Sequence, residues 1–198
     1  MKPDAAETEK RPGRPRDPGV EKAVSDAVVK VLAECGMAGF TVEKVAAAAG
    51  VGKATVYRRW PSREDLIQEI WQHVNDDFPR PDTGDLRKDL LIFVGTLAGF
   101  MADPERRLAV SHLVAAAKLD PELGRRFNVF KQKRFDAVRE MVRQAKKRRE
   151  VRAGLDEDVV VEMIVAGVFL RIMVSGGDID QRYAEQCVDI VLDGIRKR

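Results

Sequence analysis

Residues 41–60 read TVEKVAAAAGVGKATVYRRW. Thr41 is a good helix N-cap, since its hydroxyl can accept a free backbone N–H of the first turn. Phe40 before it and Val45 after it have the spacing of a hydrophobic staple. Val42, Val45, Ala46 and Ala49 form one apolar face. Gly50-Val51-Gly52 breaks the chain, and a second short helix is expected from about Lys53 to Trp60, ended by Pro61. Two short helices joined by a glycine-containing turn are the layout of a helix-turn-helix. The alanines of the first helix let the second cross it closely. Val56 and Trp60, four apart, supply the inner side of the second helix. Lys53, Thr55, Tyr57, Arg58 and Arg59 leave cations, hydroxyls and an amphipathic ring outside. DNA recognition uses that mixture: charge for phosphates, short donors for base edges. An ordinary αα-hairpin with a solvated basic face fits the same physics.

Outward from this stretch the pattern stays helical. Val20, Val24, Ala27, Val28, Val31 and Cys35 share one helical face, and Gly36 is expected to stop that helix. Ser62 caps a helix carrying Leu66, Ile67, Ile70, Trp71 and Val74. Pro79 and Pro81 mark a break before Leu86, Leu90, Phe93, Val94, Leu97 and Met101. Asp103-Pro104-Glu105 and Asp120-Pro121-Glu122 repeat one start signal: cap, proline at the first helical position, carboxylate near the positive end of the dipole. The second opens a long helix with Leu123, Phe127, Phe130, Val138, Met141 and Ala145 on one side. Helices of about 157–175 and 180–196 follow. No strand alternation of any length is present. The expected fold is all-α, with about nine helices: a three-helix DNA-binding unit over 20–65 and a larger helical domain over 66–198. Residues 1–19 hold four prolines and no apolar period, and read as a flexible basic arm.

The chain has 198 residues, and its formal charge of +3 is too small for a global basic excess to be the clue. Its 44% hydrophobic content is enough for a core, and its 6% aromatic content argues against a strand-rich sandwich or barrel. Cys35 and Cys187 have no Cys or His neighbour at ligand spacing, and His73 and His112 are isolated, so no metal or cofactor is expected. No nucleophile elbow, phosphate loop or dinucleotide fingerprint occurs, which argues against an enzyme. The longest uncharged apolar run, Met163–Leu170, is far short of a membrane span. With no apolar leader at the N-terminus, a cytoplasmic protein is expected. The basic run RQAKKRREVR at 143–152 suits a helix C-terminus better than nucleic acid.

Within residues 21–66, the stretch AVSDAVVKVLAECGMAGFTVEKVAAAAGVGKATVYRRWPSREDL resembles the N-terminal domain of the TetR/AcrR family of bacterial transcriptional regulators. The matching features run in order: a first helix ending in Gly, Phe-Thr-Val, an Ala-rich helix, Ala-Gly-Val, Lys-x-Thr-Val-Tyr, and an aromatic at the helix end. The resemblance covers under a quarter of the chain. It implies a homodimer that binds a double-stranded operator and carries a variable C-terminal ligand-binding domain. It assigns Thr41 to a phosphate at the start of the first short helix, Lys53 and Tyr57 to backbone, Thr55 and Arg58 to base edges, and Arg63 to phosphate. Gly52 departs from the pattern, standing where Ser or Thr commonly caps the recognition helix. Arg58 and Arg59 offer compensation for that hydroxyl.

Arg14 and Arg16, in RPGRPR, are similar to a minor-groove hook. The helix of 157–175 is apolar almost all round and so needs covering on several sides. Val161, Val165, Val168 and Phe169, with Tyr183, Cys187, Ile190 and Val191 of the last helix, are the expected dimer interface. Phe93, Leu97, Phe100, His112 and Phe127 are the candidate ligand contacts, though the aromatics also fit a plain core and His112 a satisfied interior group. The resulting expectation is a transcriptional regulator, a repressor released by a small-molecule effector. A helical small-molecule-binding module or enzyme without a DNA role is the alternative.

Overall fold

The structure, a computed structural model, describes residues 18–76 and 78–196, without the side chains of residues 18, 69, 70 and 72–76. Arg14 and Arg16, and the side chains of Ile70, His73 and Val74, lie outside the described residues. The helices are α1 (Pro18–Gly39), α2 (Val42–Ala49), α3 (Lys53–Arg59), α4 (Arg63–Asp76), α5 (Leu86–Ala102), α6 (Pro104–Leu119), α7 (Pro121–Lys147), α8 (Glu157–Leu170) and α9 (Gln181–Ile195). A π-helical turn, Arg171–Ser175, continues α8. Among the described residues there is no strand, only an isolated antiparallel bridge between Val151 and Arg196.

The start signals act as read. Asp103 accepts from the Glu105 N–H at 2.9 Å, and Asp120 from those of Glu122 and Leu123 at 2.9 and 3.2 Å. Ser62 Oγ accepts from the Asp65 N–H and donates to the Asp65 carboxylate at 2.6 Å. The stop at Gly36 is different. Gly36 takes φ 60° as a stop requires, but α1 kinks there and adds a turn to Gly39. The basic run closes α7: Lys146 Nζ donates to Leu155 O and Glu157, and Arg148 pairs with Glu150.

Two apolar clusters hold the chain. One joins α5, α7, α8 and α9 around Leu90, Phe93, Val138, Val161, Ile164 and Val188. The other joins α1 to α4 around Val24, Leu32, Phe40, Val45, Val56 and Leu66, and includes Ala109 and Leu113 of α6 and Leu123 of α7. The N-terminal unit therefore shares its core with the helices that follow. Burial of apolar surface, at roughly 25 cal/mol per Å², ties the two together.

Candidate nucleic-acid interface and interior cavity

Thr41 is extended, and its hydroxyl accepts from the Lys44 N–H at 3.2 Å. Gly50, at φ 65°, lets the chain turn left-handed after α2, and the Val51 N–H closes back onto Ala46 O at 3.0 Å. The hydrogen bond from the second residue past the helix end locks the turn angle. Gly52 opens α3 with its carbonyl on the Thr55 and Val56 N–H groups and with no side-chain cap. Val56 and Trp60 are buried against α2.

That packing fixes which side of α3 faces out. Lys53, Tyr57 and Arg58 are exposed and Thr55 is half-buried. Arg59 is turned inward, paired with Glu21 of α1 and lying 4.9 Å from the Trp60 ring centroid. It is thus engaged within the fold, and of the two arginines expected to compensate for Gly52 only Arg58 is exposed. Arg63 is exposed and meets Glu64 at 2.5 Å. The sequence reading missed Glu43 of α2, whose Oε1 accepts from the Tyr57 hydroxyl at 2.5 Å. Tyr57 holds the Glu43 carboxyl below its ordinary pKa, and Glu43 pushes the phenol up. No local signal marks this pair, which only the crossing of α2 and α3 brings together.

A cavity of about 450 Å³ lies behind this unit, lined almost entirely by apolar groups. Phe93, Leu97, Phe100 and Phe127 line it as expected. His112 does not. Its Nδ1 sits 2.7 Å from Leu32 O, and its ring packs beside Gly36, so it is a satisfied link between α6 and α1. The wall also contains Val28, Val29 and Leu32 of α1, and Ile67 and Trp71 of α4. Trp71 stacks on Phe130 at 5.4 Å and meets Phe127 edge-on at 5.6 Å.

The expected dimer residues divide. Val161 and Val168 are 0% exposed inside their own protomer's core, which removes them from any subunit interface. Val165 and Phe169 line the cavity. Tyr183 and Cys187 seam α9 to α8 of the same chain: the Tyr183 hydroxyl donates to Gly167 O at 3.2 Å, and Cys187 lies against Gly167. Val191 is half-buried against the C-terminal core. Ile190 remains exposed, at 73%. The all-round apolarity of α8 thus serves three faces: core, cavity and surface. The surface face is Val159, Met163, Leu170 and, in the π-helical turn, Val174.

Residues 25–70 match the family model described as bacterial regulatory proteins, tetR family, and residues 80–191 match the tetracyclin repressor-like C-terminal domain. The HTH-type transcriptional regulator YdeS of Bacillus subtilis, itself named as uncharacterized, is 30% identical over 186 residues, 93% of each chain. The crystal structure of the TetR family transcription regulator SCO0332 is similar with a TM-score of 0.69 and 29% identity, covering 90% of this chain and 99% of that one. The transcriptional regulator FadR from Bacillus subtilis, solved in complex with stearoyl-CoA, shares the fold with a TM-score of 0.76 at 18% identity, covering 88% of this chain and 99% of FadR. With both halves of the architecture matched and a full-length relative alongside, the chain belongs to the TetR family and is a helix-turn-helix, DNA-binding transcriptional regulator.

Proposed function

We propose that the protein is a cytoplasmic, non-catalytic repressor that binds its operator as a homodimer and is released by a small molecule in the interior cavity. The observation that carries this reading is the composition of the cavity wall. Residues of α1 and α4 share one apolar space with residues of α5 to α8. An occupant would touch the helices that hold α3 without any relay. A cavity of about 450 Å³ falls in the usual size range of ligand sites. FadR, solved with stearoyl-CoA, is a precedent for ligand binding on this fold.

On the DNA side, Lys53 and Tyr57 serve the backbone and Thr55 and Arg58 the base edges, with Thr41, Arg63 and the Gly52 terminus of α3 at phosphates. Exposure of Lys53, Tyr57, Arg58, Thr41 and Arg63 supports their being within reach of DNA. The second subunit covers Val159, Met163, Leu170 and Val174, spaced i, i+4, i+11 and i+15, together with Ile190 of α9. Large apolar groups left on one helical face favour a partner.

Gel shifts and footprints on the DNA flanking its own gene test the reading. The expected result is protection of two half-sites one turn apart, about 34–36 Å. Absence of binding to any of that DNA, by protein shown to be folded, would overturn repression from an operator beside its own gene and favour the module reading.

A further inference from the structure

We propose that the cavity takes an amphipathic carboxylic acid and that Arg134 of α7 receives its carboxylate. This rests on the effector reading above and names the chemistry of the occupant.

The cavity wall is apolar except for Arg106, Lys131, Arg134 and Glu162. Arg106 already meets Asp103 at 3.5 Å, so Lys131 and Arg134 are left against Glu162, a balance that still favours an anionic head. Arg134 stands apart from its neighbours. The other arginines of α7 each meet a carboxylate: Arg125 and Arg126 at Glu122, Arg139 at Asp158, and Arg143 at Glu140. Arg134 Nε and Nη2 are shut off from solvent and have no hydrogen-bond partner among the described residues. The guanidinium lies 4.1 Å from the Phe78 ring centroid, 5.1 Å from Phe130 and 5.8 Å from Phe100. Aromatic faces offset part of a buried charge but accept no conventional hydrogen bond. Burial pushes the Arg134 pKa down to about 10, which leaves a cation at neutral pH.

The two unpaired nitrogens form one edge of the guanidinium. That edge fits a carboxylate through two parallel N–H···O bonds. The same protein displays the fit elsewhere: Arg87 Nε and Nη2 donate to the two oxygens of Asp189 at 2.7 and 3.0 Å. Carboxylate binding requires a rotamer change that turns the Arg134 edge, shut off from solvent as it stands, into the cavity that Arg134 lines. An apolar body then fills the space lined by Leu97, Val110, Phe127 and Val165. A neutral ligand oxygen can accept from one Arg134 donor but leaves the charge uncompensated and the two-bond fit unmade, and a cationic ligand adds to the positive charge of the wall.

Calorimetry on the full-length protein tests this with decanoate and 1-naphthoate, each against a neutral counterpart, decanol and 1-naphthamide. Wild type is expected to bind at least one carboxylate about tenfold or more tightly than its counterpart, the scale of a charged hydrogen bond. The preferred carboxylate tells whether the body is a chain or a ring system. Arg134→Met, which keeps an unbranched apolar stem, is expected to erase the preference. Arg134→Lys, which keeps the charge without the edge, is expected to reduce it, and serves if the Met variant does not fold. No preference in wild type, no carboxylate binding, or full preference in both variants would assign Arg134 to aromatic packing alone. Gel shifts with the same compounds separate this from the effector reading. Carboxylates that bind through Arg134 and leave DNA bound support the site and defeat the effector reading. Neutral compounds that release DNA while carboxylates do not bind defeat the site and leave that reading standing.

Discussion

The Tyr57 hydroxyl of α3 donates to Glu43 Oε1 of α2 at 2.5 Å, across the two arms of the helix-turn-helix. The phenol is therefore already engaged on the exposed face of α3 that is proposed to meet DNA, and its partner is an anion. Glu43 sits below its ordinary carboxylate pKa because of this bond, and Tyr57 above its ordinary phenol pKa because of Glu43. Neither group changes charge between about pH 6 and 9, given ordinary values near 4.3 and 10. Their share of operator affinity is flat across that range. Glu43→Gln removes a negative charge beside the residues proposed to meet phosphate and leaves the hydroxyl only a neutral, weaker acceptor. Operator affinity should rise severalfold in gel shifts, most at low salt. The alkaline absorbance titration of Tyr57 should move down toward its ordinary value. Weaker binding by Glu43→Gln would give the carboxylate a positive role in docking.

Tyr57→Phe and Lys53→Ala should weaken binding to all sequences alike, because phosphate contacts carry no sequence information. Lys53→Ala should also flatten the salt dependence by about one unit per subunit. Arg58→Ala should relax sequence preference by about 1–3 kcal/mol at one position, the worth of a bidentate base contact. Competition binding on a panel of operator variants separates the two classes. A changed preference in Lys53→Ala, or an unchanged one in Arg58→Ala, would exchange their roles.

The dimer prediction follows the exposed side of α8. Met163→Glu, at a position 58% exposed in the protomer, should give a folded monomer with native helix content and no full-site footprint. A charge is tolerated in water and costly at a dry interface. Val168→Glu, by contrast, places a charge in the protomer's own core and should unfold it. Sedimentation and circular dichroism distinguish the outcomes. A Met163→Glu dimer with wild-type operator affinity would move the interface elsewhere.

Much of this was legible in the residues. The caps at Thr41, Asp103 and Asp120 and the turn at Gly50 depend on local chemistry, so position and type were enough. The faces of α8 were not separable, because an all-apolar helix carries no phase. Val161 and Met163 look alike until α5, α7 and α9 select one side. Arg134 did leave a trace. It stands at i+7 from Phe127 and i−4 from Val138, on the apolar stripe of α7, where a cation is out of place. The Tyr57–Glu43 bond and the His112–Leu32 link left none, being long-range.

The last prediction concerns switching. Trp71 of α4 and Leu32 of α1 both line the cavity, and the Leu32 carbonyl is held by His112 of α6. A ligand that parts α6 from α1, or displaces Trp71 from Phe127 and Phe130, shifts the two helices that support α3. A dimer reading two half-sites at fixed spacing loses one of them after a small rotation. Release requires the ligand to bind the DNA-incompetent form more tightly, typically by about 1–3 kcal/mol. By linkage, operator DNA must weaken ligand binding by the same factor. Trp60 is buried in the N-terminal core and adds its own emission, so a Trp60→Phe background isolates Trp71. In that background, ligand affinity should fall by about 5- to 150-fold when operator is present. His112→Ala cuts the α6–α1 link outside the cavity, and should reduce this coupling while leaving ligand affinity without DNA nearly unchanged. Equal ligand affinities with and without operator, for a compound whose binding alters Trp71 emission, would remove α1 and α4 from the switch.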